Sequence, residues 1–266
     1  MNFGSLGEGV EHPEAQPHGA LTEVFPGISW VRGALRMKPP VPLPFAIAFS
    51  RNMVVLAQGG ELTLVNSLRL DESGLAALER LGKVQHVIRL AGFHGRDDAF
   101  YKDRYGARVW AVKGQSYVRG IGNPNPRPDQ VYFHPDVYVD EGSALPVAGA
   151  RLMRIECTVG EGILLLERDG GIAVSGDALQ NWQRADEYFS PASRVLMKWM
   201  GFLKPCNVGP GWLKQGKPDP RDLRRILELP FEHVLPAHGN PVLGNAREKY
   251  RPAIERSLRA IASRAR

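Results

Sequence analysis

Cysteine is nearly absent from this 266-residue chain, with only Cys157 and Cys206 and no short spacing between them. That excludes a disulfide framework and a Cys-rich zinc module, and it fits a reducing compartment. Blocks of Lys and Arg are lacking too: the formal charge of +6 is scattered through the chain, without the interleaved basic and aromatic pattern of a nucleic-acid module. No apolar stretch approaches the roughly 20 residues of a membrane span, and the opening MNFGSLGEGVEHPEAQPHG lacks the basic start and apolar run of a secretion signal. These features predict a cytoplasmic protein with no nucleic-acid or membrane partner and with a small, anionic molecule as its ligand. Oligomeric state is left open.

What is present is ordinary globular material, 43% hydrophobic and 23% charged, enough for one sizeable core. Residues 1–20 lack periodicity and read as a loose arm, with one domain over 21–266. Short β-type runs follow at Glu23 to Trp30, Ala46 to Arg51, Met53 to Ala57 and Glu61 to Val65, an antiparallel meander. Between them KPPVPLP (38–44) cannot form a continuous ladder and reads as a loop or edge. Asp71 to Leu81 has an N-cap residue and leucines at helical spacing, and Val84 to Leu90 is the next strand. A helix around Asp98 to Arg104 and a strand at Arg108 to Val112 complete an α/β order. A second series has strands at Arg151 to Ile155, Gly162 to Glu167, Gly171 to Ser175 and Phe231 to Leu235. Helices are predicted over 191–203, Arg221 to Leu229 and from Ala246, with Pro252 at a kink or restart.

Three blocks carry the chemistry. GGELTLVNSLRLDESGLAALERLGKVQHVIRLAGFHG runs strand, helix, strand into a loop holding His94; GILLLERDGGIAVSGDALQNW is a hairpin ending at Gly176-Asp177; FEHVLPAHGNPV is a strand followed by a turn holding His238. A strand fixes the direction of its last residues, and the glycine of Ser175-Gly176-Asp177 allows a sharp turn that holds a carboxylate out at the sheet's end. Carboxylate oxygen and imidazole nitrogen suit zinc, iron or manganese. Each residue also has an ordinary alternative: Asp177 as a helix cap, His94 and His238 as histidines satisfied within turns.

Together the blocks resemble the metallo-β-lactamase-fold superfamily, and the resemblance implies a four-layer αββα sandwich. It also implies a metal site, but the loop that usually reads His-x-His-x-Asp-His is here Leu90-Ala91-Gly92-Phe93-His94-Gly95-Arg96-Asp97-Asp98. The turn that usually supplies a further histidine is Glu156-Cys157-Thr158-Val159-Gly160-Glu161-Gly162, where Cys157 or Glu161 could substitute chemically. The resemblance is to a divergent branch with a reduced constellation. It implies His94, Asp177 and His238 as ligands of one divalent metal, zinc first with iron or manganese as alternatives, and Asp97 or Asp98 as proton acceptor. The reaction implied is hydrolysis of a small ester, lactone, thioester or phosphoester. A metal-free binding protein and a mononuclear iron oxidoreductase are the competing expectations.

The segment MKWMGFLKPCNVGPGWLKQGKP adds a flexible, basic and aromatic stretch. It could cover a pocket and meet an anion through Lys204, Trp212, Lys214 or Lys217, with LRMKPPVPLP as another wall. The competing reading makes Trp199, Phe202 and Trp212 core residues and leaves the lysines solvated.

Overall fold

Strand alternation decides the architecture. In a strand, successive side chains face opposite sides, so a run that is apolar at every position must be covered on both faces. Leu62, Leu64, Met53 and Val55 join one cluster and their neighbours Val54, Leu56 and Val65 another; likewise Ile163 and Leu165 separate from Leu164 and Leu166. Two sheets each buried on both sides are the consequence. The computed structural model describes residues 12–37, 47–118 and 127–264.

The first sheet has seven strands in the order β1 (Thr22–Phe25), β2 (Ile28–Met37), β3 (Ile47–Gln58), β4 (Glu61–Val65), β5 (Lys83–Arg89), β6 (Arg108–Val112) and β7 (Val137–Val139). Neighbours are antiparallel from β1 to β4 and parallel from β4 to β7. The second sheet is β8 (Ala150–Ile155), β9 (Glu161–Leu166), β10 (Ile172–Ser175) and β11 (His233–Pro236), with β11 returning parallel to β10. Helices α1 (Glu72–Leu81) and α2 (Asp98–Tyr105) cover the outer face of the first sheet through Leu75, Leu78, Phe100 and Tyr101. On the outer face of the second sheet, α4 (Pro210–Gln215), α5 (Pro220–Arg225) and α6 (Ala246–Arg264) supply Trp212, Leu223, Tyr250 and Ile254. Ile28, Val54, Ile88, Leu164, Val174 and Leu235 fill the space between the sheets. The layers are therefore αββα, as expected. Helix α3 (Pro191–Trp199) lies apart, its Ser193 hydroxyl accepting from the Ala48 N–H of β3.

Several local expectations are revised. The two runs expected on either side of Asn52 are one twelve-residue strand, β3. Asn52 does not interrupt it, because its side chain finds partners in the second sheet. The helix expected over 191–203 stops at Trp199, and Gly201 at φ 81 lies beyond it. Helix α6 runs through Pro252 without a restart. The last strand begins at His233 rather than Phe231, which joins the core instead. The arm is held from His12 onward: Ala34 N–H donates to Pro17 C=O, Gly19 N–H to Arg32 C=O, and Asp71 N–H to His18 Nε2. KPPVPLP and its proposed wall lie outside the described residues beyond Met37.

Candidate metal centre

Three strand ends meet on one rim. The loop after β5 carries His94, the turn after β10 carries Asp177, and the turn after β11 carries His238. Two asparagines tie these ends together. Asn66, in the left-handed region at φ 55, accepts from Leu90 N–H and donates to Ser175 C=O, joining the ends of β5 and β10. Asn52 donates from its amide to Pro236 C=O (2.8 Å) and Gly239 C=O (2.6 Å), while its backbone N–H donates to Ala237 C=O. The His238 turn is thus clamped to the first sheet on three carbonyls. Gly239, at φ 87, follows it, and a Cβ there would fall 2.1 Å from the Asn181 carbonyl carbon.

Gly176 serves a different purpose from the one expected. Its φ is not positive; instead a Cβ would stand 2.3 Å from Ala91 Cβ and 2.7 Å from Glu161 Oε1. The residue is small so that the His94 and Asp177 loops can touch.

The three side chains are buried, at 9%, 6% and 5% exposure for His94, Asp177 and His238. His94 Nε2 lies 3.2 Å from His238 Nε2 and 3.3 Å from Asp177 Oδ2, and His238 Nε2 lies 3.2 Å from Asp177 Oδ1. Ser50 C=O can only accept, so its 3.1 Å contact with His238 Nδ1 puts a proton on Nδ1 and makes Nε2 the nitrogen whose lone pair is open to a metal. Burial first, and then the neighbouring His238 and Arg51, push the His94 pKa down against the pull of Asp177, which favours a neutral ring. For Asp177 burial acts to raise the pKa, yet the two imidazoles outweigh it and keep the group a carboxylate well below its ordinary range. Asp177 Oδ2 and His94 Nδ1 have no hydrogen-bond partner among the described residues.

This donor set fits a metal ion. Facing lone pairs and a buried carboxylate oxygen without a donor need a cation or a shared proton. Zinc bonds of 2.0 to 2.1 Å in tetrahedral geometry place neighbouring ligand atoms about 3.3 Å apart; the two imidazole nitrogens match this at 3.2 Å, and with one oxygen of Asp177 the three donor atoms lie within 4.8 Å of one another.

Fold comparison supports the same reading of the architecture. A crystal structure of VMB-1 is similar over 92% of this chain and 97% of its own, at TM-score 0.60 and 11% identity. The metallo-β-lactamase FIM-1 from Pseudomonas aeruginosa in its mono-zinc form matches with TM-score 0.58 and 11% identity over 92% of this chain and 98% of that one. A metallo-β-lactamase from Erythrobacter litoralis with β-mercaptoethanol in its active site matches at 0.56 and 14%, over 91% and 96%.

The chain has the metallo-β-lactamase fold.

No protein-family model and no functionally curated protein matches the sequence. Within this metallo-β-lactamase fold the remaining expected site residues are distributed unequally. Asp97 Oδ2 accepts from Arg69 N–H (2.7 Å) and pairs with the Arg51 guanidinium. Asp98 is fully buried and accepts from Ser67 Oγ (2.6 Å) and the Tyr117 hydroxyl; burial raises its pKa against those two donors. Trp212 is a core residue at 1% exposure, while Lys204, Lys214 and Lys217 are exposed. None of these four is hydrogen-bonded to the triad.

Sequence reasoning missed most of the support around the triad. Arg89, 2% exposed, lies over the Tyr117 ring and donates to the carbonyls of Ala91, Gly92 and Ser116, pinning the His94 loop. Trp182 lies against His238 with the rings tilted at 41° and 4.6 Å between centroids, and it donates from Nε1 to Ser50 Oγ. Gln180 Nε2 donates to Asp177 Oδ1. Cys157 is half-buried against the second core, and burial pushes its thiol up to about 12. Neither it nor Glu161 belongs to the converging set.

Glu161 acts through the backbone. Its Oε1 accepts from the N–H groups of Asp177 (2.8 Å) and Ala178 (3.1 Å), fixing the turn that aims the carboxylate. Glu161→Ala is expected to weaken metal binding by about 10–100-fold, as loss of a ligand-orienting partner does, whereas Glu161→Gln, which keeps an oxygen acceptor, should remain within a few-fold of the parent. Competition with a chromophoric chelator measures both; equal losses in the two variants would remove Glu161 from this role.

Proposed function

We propose that this protein is a metal-dependent hydrolase with one metal held by His94, Asp177 and His238. The carrying observation is the convergence of two Nε2 atoms and a carboxylate within 3.3 Å of one another on the sandwich rim. Two imidazoles and one carboxylate form a set for one ion with positions left for water and substrate. A zinc ion there would lower the pKa of its water to about 7 and supply a hydroxide nucleophile. His238 is held in register by Ser50, Asp177 by Gln180 and by Glu161 through the turn backbone. Asp97 and Asp98 are assigned to the scaffold rather than to proton transfer, since the guanidinium of Arg51, the N–H of Arg69, and the hydroxyls of Ser67 and Tyr117 already engage them. The substrate proposed is a small ester, lactone, thioester or phosphoester.

Protein purified from zinc-, iron- and manganese-supplemented cultures should carry one equivalent of metal and hydrolyse at least one of these bond classes. Metal affinity should fall as pH is lowered, because protons compete for the same lone pairs. His94 enters that competition late, its pKa being pushed down. Two equivalents would contradict the single-ion site, and none would contradict the metallohydrolase. A second reading, a binding protein on the same fold, is favoured by the depth of the triad and by the engagement of Asp97 and Asp98; stoichiometric metal without turnover on any of these substrates supports it.

A further inference from the structure

Helix α3 presents an apolar face that nothing among the described residues covers. Val195 is 73% exposed, Trp199 85% and Met200 47%, whereas Trp110, Trp182 and Trp212 are 9% or less. An indole at 85% exposure stands clear of its neighbours, and it is joined by Val195 one helical turn before it and Met200 just past the helix end rather than standing singly. The inner side of the same helix is anchored: Met197 packs with Trp182, Phe189 and Phe202, and Trp182 makes a tilted ring contact with His238. The exposed face is thus one aromatic layer from the metal centre.

Its own segment is basic, with Asp186 and the exposed Glu187 just before it and the Asp186 carbonyl accepting from Arg194. From Tyr188 to Pro218 the sequence contains no Asp or Glu, yet it contains Arg194, Lys198, Lys204, Lys214 and Lys217. All five are exposed, and none is in an ion pair with a carboxylate among the described residues. Elsewhere the surface pairs its charges, as in Arg225 with Glu141 and Asp222 or Arg251 with Glu248. Gly211 of α4 lies against Phe202, so the basic segment continues from α3 onto α4.

The geometry points to α3 as a docking face for an anionic lipid surface, with Trp199, Val195 and Met200 entering the headgroup region and Lys198 and Lys204 meeting lipid phosphates. Tryptophan prefers the membrane interface, and basic residues beside it add attraction to anionic lipid. No helix among the described residues is long and apolar enough to cross a membrane, so the contact is peripheral. This departs from the sequence-based expectation of no membrane partner. It stands apart from the hydrolase reading, since vesicle binding is measured without turnover.

The full-length protein should sediment with mixed phosphatidylcholine and phosphatidylglycerol vesicles, less with pure phosphatidylcholine, and its tryptophan emission should shift to the blue on binding. Trp199→Ala should abolish the shift and reduce partitioning about tenfold. Lys198→Gln and Lys204→Gln should each cost about fivefold. All three positions are exposed, so thermal stability should not move. Absence of vesicle binding, or binding unaffected by Trp199→Ala, would overturn the proposal. So would a concentration-dependent dimer abolished by Trp199→Ala without vesicle binding, which assigns the face to a second copy, or binding to duplex DNA alone with no emission shift.

Discussion

His94→Ala is expected to leave the protein folded and strip it of metal. The ring contributes one of the three converging atoms, and its Nδ1 makes no hydrogen bond among the described residues, so no second interaction is lost with it. Removing a small buried ring should cost about 1 kcal/mol of stability, the ordinary range for one substitution. Metal affinity should fall on the order of 100-fold or more, beyond what loss of an orienting partner costs, because two donors are left where three stood. A readout independent of catalysis follows from mass action: metal at about 100 times its dissociation constant should stabilise the parent by roughly 2.7 kcal/mol and the variant by almost nothing. Any hydrolytic activity should disappear with the metal. Retention of stoichiometric metal with unchanged affinity would leave Asp177 and His238 to explain the site alone and would remove His94 from it.

The second large effect is expected at Trp182. This side chain is 2% exposed, meets Phe49, Phe189 and Phe202 edge-on, lies tilted against His238, and donates to Ser50, whose carbonyl in turn fixes the His238 tautomer. Trp182→Ala opens a cavity and leaves the Ser50 hydroxyl short of a donor, for an expected loss of about 3–5 kcal/mol. In a protein of this size that lowers Tm by roughly 10 °C. Trp182→Phe, which keeps most of the contact but not the N–H, should cost markedly less. Chemical denaturation of both, with metal titration of the folded fraction, separates loss of packing from loss of ring orientation. A cost below about 1 kcal/mol for the alanine variant would mean that the aromatic layer does not support the His238 ring.

Periodicity alone determined an α/β order with two series of strands followed by helices, because short β-type runs and capped amphipathic stretches are read locally; the αββα layer order came only from the resemblance of the three blocks. The sequence also determined that His94, Asp177 and His238 each follow a strand, since glycine-marked turns sit beside all three. Their meeting was legible only through the resemblance of the blocks, for local periodicity carries no information about which strand ends share a rim. The tertiary structure decided the rest. Asn52 and Asn66 look in sequence like any polar residue in or near a strand, and Glu161 is expected there as a substitute ligand; only contacts to backbone groups distant in the chain make the three the clamps of the site. Asp97 and Asp98 had the chemistry of proton acceptors, but the positions of Arg51, Ser67 and Tyr117 engage them, and those positions depend on helix and sheet packing. Trp212 and Trp199 show the same limit in reverse: neighbouring tryptophans of one basic segment, one in the core and one almost fully exposed. Composition sets how much apolar surface a segment has, whereas the direction of each side chain is fixed only when the segment packs.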